Sequence, residues 1–171
     1  NTALTGYQEI LTDPSYKGQM VTMTFPLIGN TGVNEEDVES GRVWAEGFII
    51  RELAPFASNW RSRKSLDEYL REHGVPGIEG VDTRALTRHL RDHGCKMGII
   101  STVSDNVREL LDKLKAHPGI VGVDLVKEVT CSAPHRWDEG GWEWPDGYTR
   151  PVERPYKVAA YDFGIKRNIL R

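Results

Sequence analysis

The sequence contains few cysteines, no long apolar run and no excess of positive charge. Only two of its 171 residues are cysteines, Cys95 and Cys131, which argues against a disulfide scaffold and favours reduced thiols in a cytoplasmic protein. No apolar run approaches the roughly 18 residues that a membrane-spanning helix needs, and no secretory signal pattern is present. The formal net charge is −3. We therefore expect neither a membrane nor a nucleic acid as partner, because phosphate binding requires a basic surface.

The sequence also lacks the motifs that bind nucleotides. Neither the phosphate loop G-x-x-x-x-G-K-[ST] nor the dinucleotide pattern G-x-G-x-x-G occurs, so we expect no cofactor in this chain. The triplet Asp162-Phe163-Gly164 matches the magnesium-binding triplet of protein kinases in letters only. The catalytic loop, glycine loop and strand lysine that should precede it are absent.

The composition is that of a globular protein, with 39% hydrophobic and 27% charged residues. A chain of this length buries about 70% of the surface that its unfolded form exposes and corresponds to roughly one domain plus a fragment. The chain begins at Asn1 rather than at a methionine, and residues 168–171 resemble the first turn of a helix. We therefore expect it to be a piece of a longer protein.

Capping signals predict three helices. The first begins with a capping box formed by Ser65 and Glu68 and stops at Gly74. The second is capped by Asp82 and stops at Gly94, and the third runs from about residue 104 to residue 118. Side chains at helical spacing are expected to face the core: Leu66, Tyr69, Leu70, Leu86, Leu90, Val107, Leu110, Leu111 and Leu114.

Apolar or alternating runs predict five strands, at residues 20–25, 47–53, 97–102, 127–130 and 157–162. Residues 75–78 are expected to form an extended link. Three tryptophans at positions 137, 142 and 144 favour a hairpin that covers an edge of the core over a platform for nucleic acid.

The last predicted strand divides the chain. A continuous apolar strand such as 157–162 is typical of a parallel sheet that is buried on both faces, and Pro151 and Pro155 bracket a linker before it. We therefore predict one domain over residues 1–150, a linker over 151–156, and the opening strand and helix of a second domain over 157–171.

Metal binding and thiol chemistry are weakly supported. His89 and His93 lie four residues apart on one predicted helix face, as in some metal sites, but Arg88 and Arg91 would repel a dication and a basic helix end explains the pair equally well. We expect no metal site and no catalytic cysteine. Cys95 follows the end of a helix, where the dipole raises a thiol pKa, and the other cysteine lacks a glycine-flanked turn.

The loop of residues 12–16 is the strongest candidate for a binding site. Asp13 and Ser15 flank Pro14, which would give a rigid turn with a free carboxylate and a free hydroxyl. Composition alone favours an ordinary helix cap or β-turn over a functional loop.

Six blocks, in order and across essentially the whole chain, resemble the small, glutamine-hydrolysing subunits of carbamoyl phosphate synthetases. The blocks are NTALTGYQEILTDPSY (1–16), TFPLIGNTGVN (24–34), ASNWR (57–61), DTRALTR (82–88), KEVT (127–130) and AYDFGIKRNILR (160–171). This agreement is far more specific than any short motif above.

The resemblance implies an α/β fold, with a three-layer β/β/α "swivelling" domain, here without its first strands, followed by the start of a parallel-sheet class I glutamine amidotransferase domain. In this family a Cys–His–Glu triad hydrolyses glutamine through a thioester. The ammonia passes to a large subunit, which uses ATP, magnesium and bicarbonate to make carbamoyl phosphate for pyrimidine and arginine synthesis.

The resemblance also assigns one residue of this chain to substrate binding. By its place in the motif, Ser15 corresponds to a serine near the bound L-glutamine. The triad is absent from the chain, so we expect no catalytic residue here and no glutamine hydrolysis by the chain alone. Two alternatives stay open: a non-catalytic module that only docks to the large subunit, and a metal-binding protein that uses His89 and His93.

Overall fold

The computed structural model describes residues 1–150 and 156–171, which form short helices and strands joined by long loops. The helices are α1 Tyr7–Thr12, α2 Leu66–Glu72, α3 Thr83–His93, α4 Val107–Ala116, α5 Val126–Val129 and α6 Arg167–Leu170, with a 3₁₀ turn at Pro14–Tyr16. The strands are β1 Met20–Thr22, β2 Leu27–Ile28, β3 Gly47–Ile49, β4 Glu52–Leu53, β5 Gly77–Ile78, β6 Trp142–Glu143 and β7 Gly147–Tyr148.

The first five strands form two parallel sheets. β1, β3 and β5 form a three-stranded sheet in that order, and β2 pairs with β4 beside it. The predicted strand 20–25 is shorter than expected and contains only β1, with β2 following beyond its end. The predicted strand 47–53 is interrupted, because β3 pairs with β1 whereas β4, after a bend, pairs with β2. The extended link predicted at 75–78 contains β5. A mixed α/β fold with parallel strands confirms the predicted class.

The helix starts follow the predicted caps. The amide of Glu68 donates to Ser65 Oγ while the Glu68 carboxylate accepts from the Ser65 amide at 2.8 Å, which completes the capping box of α2. Asp82 Oδ1 accepts from the amide of Ala85 at 2.9 Å and starts α3. These bonds satisfy amides that have no partner inside the helix.

The buried apolar core lies entirely in the first part of the described chain. It extends from Tyr7 to Leu70 and includes side chains from α1, β1, β3 and α2. Leu66, Tyr69 and Leu70 are buried as predicted, whereas Leu86 and Leu90 of α3 are only half-buried. The apolar stripe of α4 contributes no buried residue, so its predicted core-facing role is wrong for this chain.

Three predicted strands are absent from the described residues. Residues 97–102 pass close to Met20 and Gly47 without joining the sheet and stay largely exposed. Residues 127–130 instead overlap helix α5, which the Thr130 hydroxyl stabilises by donating to the carbonyl of Val126 at 2.7 Å.

The third of these strands was predicted to open a second domain. Residues 157–162 form neither helix nor strand, and Val158 and Tyr161 are 89% and 91% exposed. A strand needs a neighbour to satisfy its amides and carbonyls, and no described segment pairs with this one. The helix predicted to follow it is present as α6, while residues 151–155 of the predicted linker lie outside the described residues.

Within the described ranges, no helix is both long enough and apolar enough to cross a membrane.

Candidate functional site

Ser15 lies in the 3₁₀ turn that follows α1, with its backbone fixed and its hydroxyl unengaged. Asp13 Oδ1 accepts from the Ser15 amide at 2.9 Å, and Gln19 Nε2 donates to the Ser15 carbonyl at 2.9 Å. Pro14, which lies between Asp13 and Ser15, restricts the backbone of the turn. The side chain is exposed, and its hydroxyl contacts no hydrogen-bond partner in residues 1–150 or 156–171. The turn therefore presents a well-positioned donor and acceptor to the surface.

Helix α1 is held firmly behind this turn. The buried Tyr7 hydroxyl donates to the carbonyl of Gly32 at 2.9 Å and accepts from both the amide and the hydroxyl of Thr31. The Thr12 hydroxyl donates to the Gln8 carbonyl at 2.9 Å and accepts from the amide of Glu39 at 2.9 Å. These buried bonds fix both ends of the helix that positions Ser15.

The C-terminal segment contacts the same turn. A Cβ atom on Gly164, where φ is +93°, would lie 3.1 Å from Pro14 Cβ and 2.8 Å from Val129 Cγ2, so this close approach requires glycine. Lys166 Nζ lies 3.4 Å from Asp13 Oδ2. The chain after residue 161 therefore lies beside the candidate site.

Helix α6 is anchored by two acidic side chains. Glu39 is only 5% exposed, and its carboxylate accepts from the Asn168 amide at 3.0 Å and from Asn168 Nδ2 at 2.6 Å. Arg171 forms an ion pair with Glu139 at 2.7 Å and stacks on the ring of Tyr148 at 3.6 Å. Both contacts hold the last helix against the body of the chain.

Acidic groups surround the start of α1. Burial raises the pKa of Glu9, and the nearby carboxylates of Asp37 and Glu39 raise it further, against an opposing effect of Arg61. Arg61 donates to Glu36 at 2.8 Å and to Asp37 at 2.7 Å. The hydrogen bond from Arg61, followed by that from Trp142, lowers the pKa of Glu36.

The predicted hairpin is confirmed. β6 and β7 pair antiparallel, with Trp142 opposite Tyr148. Trp142 Nε1 donates to Glu36 at 3.1 Å, and Trp144 packs edge-on against Trp60 with ring centroids 4.9 Å apart. The hairpin thus covers polar and aromatic side chains from the first half of the chain.

The other sequence candidates gain little support. His89 and His93 have ring centroids 4.6 Å apart on the exposed face of α3, and no third ligand side chain joins them among the described residues. Both cysteines are free and exposed. The pKa of Cys131 is raised by partial desolvation and by its hydrogen bond to Asp162, which is opposite to what a nucleophilic thiol requires.

One cluster was missed by the sequence analysis. Cys131, His135 and Asp162 bring a sulfur, an imidazole nitrogen and a carboxylate oxygen within 4.8 Å of one another. The local signal was the spacing C-x-x-x-H at 131–135. Its third member is distant in sequence, so only the fold reveals the group.

Comparisons with a family model and with individual proteins give the same family. Residues 1–100 match the family model described as carbamoyl-phosphate synthase small chain, CPSase domain. The chain belongs to the carbamoyl phosphate synthase small-chain family. The whole chain is 59% identical over 172 aligned positions to the carbamoyl phosphate synthase small chain of Syntrophotalea carbinolica. It is 54% identical over 176 positions to that of Acinetobacter baylyi and 51% identical over 181 positions to that of Nitratidesulfovibrio vulgaris.

The chain covers only part of these carbamoyl phosphate synthase small chains. All of it aligns, but it spans 46% of the length of each of these three relatives. The family-model match ends at residue 100, before α4, the tryptophan hairpin and the C-terminal segment. The turn with Ser15 lies inside the matched range.

Proposed function

We propose that this chain forms the substrate-positioning and docking part of a glutamine-dependent carbamoyl phosphate synthase. In the complete protein, glutamine would be hydrolysed and the ammonia passed to a large subunit, which makes carbamoyl phosphate from bicarbonate and ATP for pyrimidine and arginine synthesis in the cytoplasm. The observation that supports this role best is the exposed, unengaged hydroxyl of Ser15 on a rigid turn, next to the C-terminal segment.

The chemistry of glutamine explains why a hydroxyl suits this position. The substrate bears an α-ammonium and an α-carboxylate that must be held while its side-chain amide meets a nucleophile. A serine hydroxyl can donate one hydrogen bond and accept another without adding charge. With its backbone already fixed, Ser15 would orient the substrate and would transfer no proton.

The distribution of core and exposed apolar residues along the chain supports a protein of two domains. We propose that residues 1–150 form the swivelling domain of the small chain and that residues 151–156 are a linker. Residues 157–171 would then be the first strand and helix start of a glutamine amidotransferase domain. The exposure of Val158 and Tyr161 fits this assignment, because apolar side chains in a parallel sheet need covering layers on both faces.

The test of the substrate role is Ser15→Ala in the complete small chain assembled with its large subunit. We expect KM for glutamine to rise about tenfold, the effect of losing roughly 1.4 kcal/mol of hydrogen bonding, with kcat nearly unchanged. Ser58→Ala, at another exposed serine, is the control and should leave both constants unaltered. A large fall in kcat with an unchanged KM would contradict a positioning role.

A docking module without substrate contact is the second candidate. It is favoured by the exposed apolar side chains of α4 and the loop before it, including Val103, Val107 and Leu111. Mixing the chain with a large subunit and then titrating glutamine separates the two functions. A complex that binds no glutamine supports the docking module, and a complex in which glutamine protects the Ser15 turn from hydrogen exchange supports the substrate role.

A further inference from the structure

The side chains of Cys131, His135 and Asp162 converge from two separate segments. Their ligand atoms lie within 4.8 Å of one another, whereas ligand atoms in a tetrahedral zinc site stand about 3.5 Å apart, given metal–ligand bonds of about 2.0–2.3 Å. Cys131 and His135 both lie at the surface, so their side chains have room to adjust by the roughly 1 Å that separates the two spacings.

The Asp162 carboxylate is already oriented by the chain. One oxygen accepts from the amides of Gly164 and Ile165, each at 2.8 Å, which leaves the second oxygen for another partner. A carboxylate held in place by two backbone hydrogen bonds is already positioned to bind a cation.

The cysteine is positioned by α5. Cys131 follows Thr130, whose amide and hydroxyl both bond to the carbonyl of Val126 and end that helix. A thiol must lose its proton before the sulfur can bind a metal ion, because the thiolate is the ligand. Binding of a dication would displace that proton to solvent, with the thiolate sulfur, the neutral imidazole and the carboxylate forming bonds to the metal and no change in oxidation state.

We propose that Cys131, His135 and Asp162 form a zinc-class divalent metal site, with water as the fourth ligand. One soft sulfur, one imidazole nitrogen and one carboxylate oxygen suit Zn²⁺, whereas Mg²⁺ and Ca²⁺ prefer oxygen ligands alone. The site joins the segment after α5 to the loop that packs Gly164 against Pro14. Metal binding would therefore hold the C-terminal segment next to the turn that contains Ser15.

The test is metal titration of the reduced, metal-free chain. Zn²⁺ is added in competition with a chromophoric chelator, and Co²⁺ is added as a spectroscopic probe of thiolate ligation. We expect one metal ion per chain, a thiolate-to-Co²⁺ charge-transfer band, and release of the thiol proton. Cys131→Ser, His135→Ala and Asp162→Asn should each weaken Zn²⁺ binding at least about tenfold, and Cys131→Ser should abolish the band.

The second cysteine and the histidine pair of α3 provide matched controls. Cys95→Ser and His89→Ala should leave the affinity and the band unchanged, since both residues lie outside the cluster. Far-ultraviolet circular dichroism of each metal-free variant checks folding, and Cys131→Ser decides the outcome if another variant unfolds. Absence of a 1:1 complex at micromolar Zn²⁺, or a Co²⁺ band that persists in Cys131→Ser, overturns the proposal.

Discussion

Individual residues show how much this chain depends on buried polar bonds. Tyr7, Gln8 and Thr12 are all buried, and each uses its side chain to join α1 to a distant loop. The buried carboxylate of Glu39 in turn joins one of these loops to α6. A buried polar group that loses its partner costs about 1–3 kcal/mol, so these bonds specify one position for α1. The position of Ser15 follows from them.

Glu9 makes the free energy of unfolding fall as pH rises, which is the reverse of the usual effect of a carboxylate. Its pKa is raised in the folded chain, first by burial, so the folded state holds the proton more tightly than the unfolded state. Below its unfolded pKa, Glu9 therefore does not lower the free energy of unfolding. As pH rises through the higher folded pKa, the group lowers that free energy progressively. We expect Glu9→Gln to raise the urea midpoint at pH 7 and to have a smaller effect at pH 4.

The control for that comparison is Glu52→Gln, at an exposed glutamate of β4. It should change the midpoint little and to the same extent at both pH values. An equal gain from Glu9→Gln at pH 4 and pH 7 would show that ionisation of Glu9 is not the cause.

At the scale of elements, local signals predicted helices better than strands. The caps at Ser65 and Asp82 depend on neighbours three residues away, so the sequence contains all the information they need. The predicted strands at 97–102, 127–130 and 157–162 depend on a partner strand, which their own residues cannot reveal. At 127–130 a local hydrogen bond from Thr130 is formed in a helical turn instead.

The capping box of α2 gives a direct test at this scale. Ser65→Ala removes the acceptor for the Glu68 amide and one partner of the Glu68 carboxylate. Because α2 supplies Leu66, Tyr69 and Leu70 to the core, loss of the cap should lower the free energy of unfolding by about 1 kcal/mol, measured by urea denaturation. Glu68→Gln keeps an acceptor at the same position and should lose less. An unchanged midpoint for Ser65→Ala would mean that packing alone defines the start of α2.

For the candidate site, the sequence predicted one residue but not the residues that lie next to it in space. The motif resemblance pointed to Ser15, and its role as a glutamine ligand stays a prediction. The contacts of Gly164 with Pro14 and of Lys166 with Asp13 join residues about 150 positions apart, and no periodicity encodes such a pairing. The metal-ligand cluster escaped prediction for the same reason.

Across the whole molecule, burial is unevenly distributed. The core lies between Tyr7 and Leu70, whereas large apolar side chains of the second half remain exposed, including Val121, Val158 and Phe163. Polar contacts help to attach the second half to the core, and the Glu39 carboxylate that bonds to α6 is buried.

Loss of the Glu39 carboxylate should release the C-terminal segment while the core stays folded. Glu39→Ala removes two hydrogen bonds to Asn168, and bonds to a charged acceptor contribute about 1.5–3 kcal/mol each. The fraction of molecules in which α6 is detached should increase at least about tenfold. If detachment and reattachment are fast, the rate of cleavage by trypsin at Lys166 and Arg167 rises in proportion to that fraction. Glu46→Ala, which loses only an exposed ion pair with Lys17, should leave that rate unchanged. Equal cleavage in both variants would mean that the other contacts of the segment, such as the ion pair between Arg171 and Glu139, hold it in place without the Glu39 carboxylate.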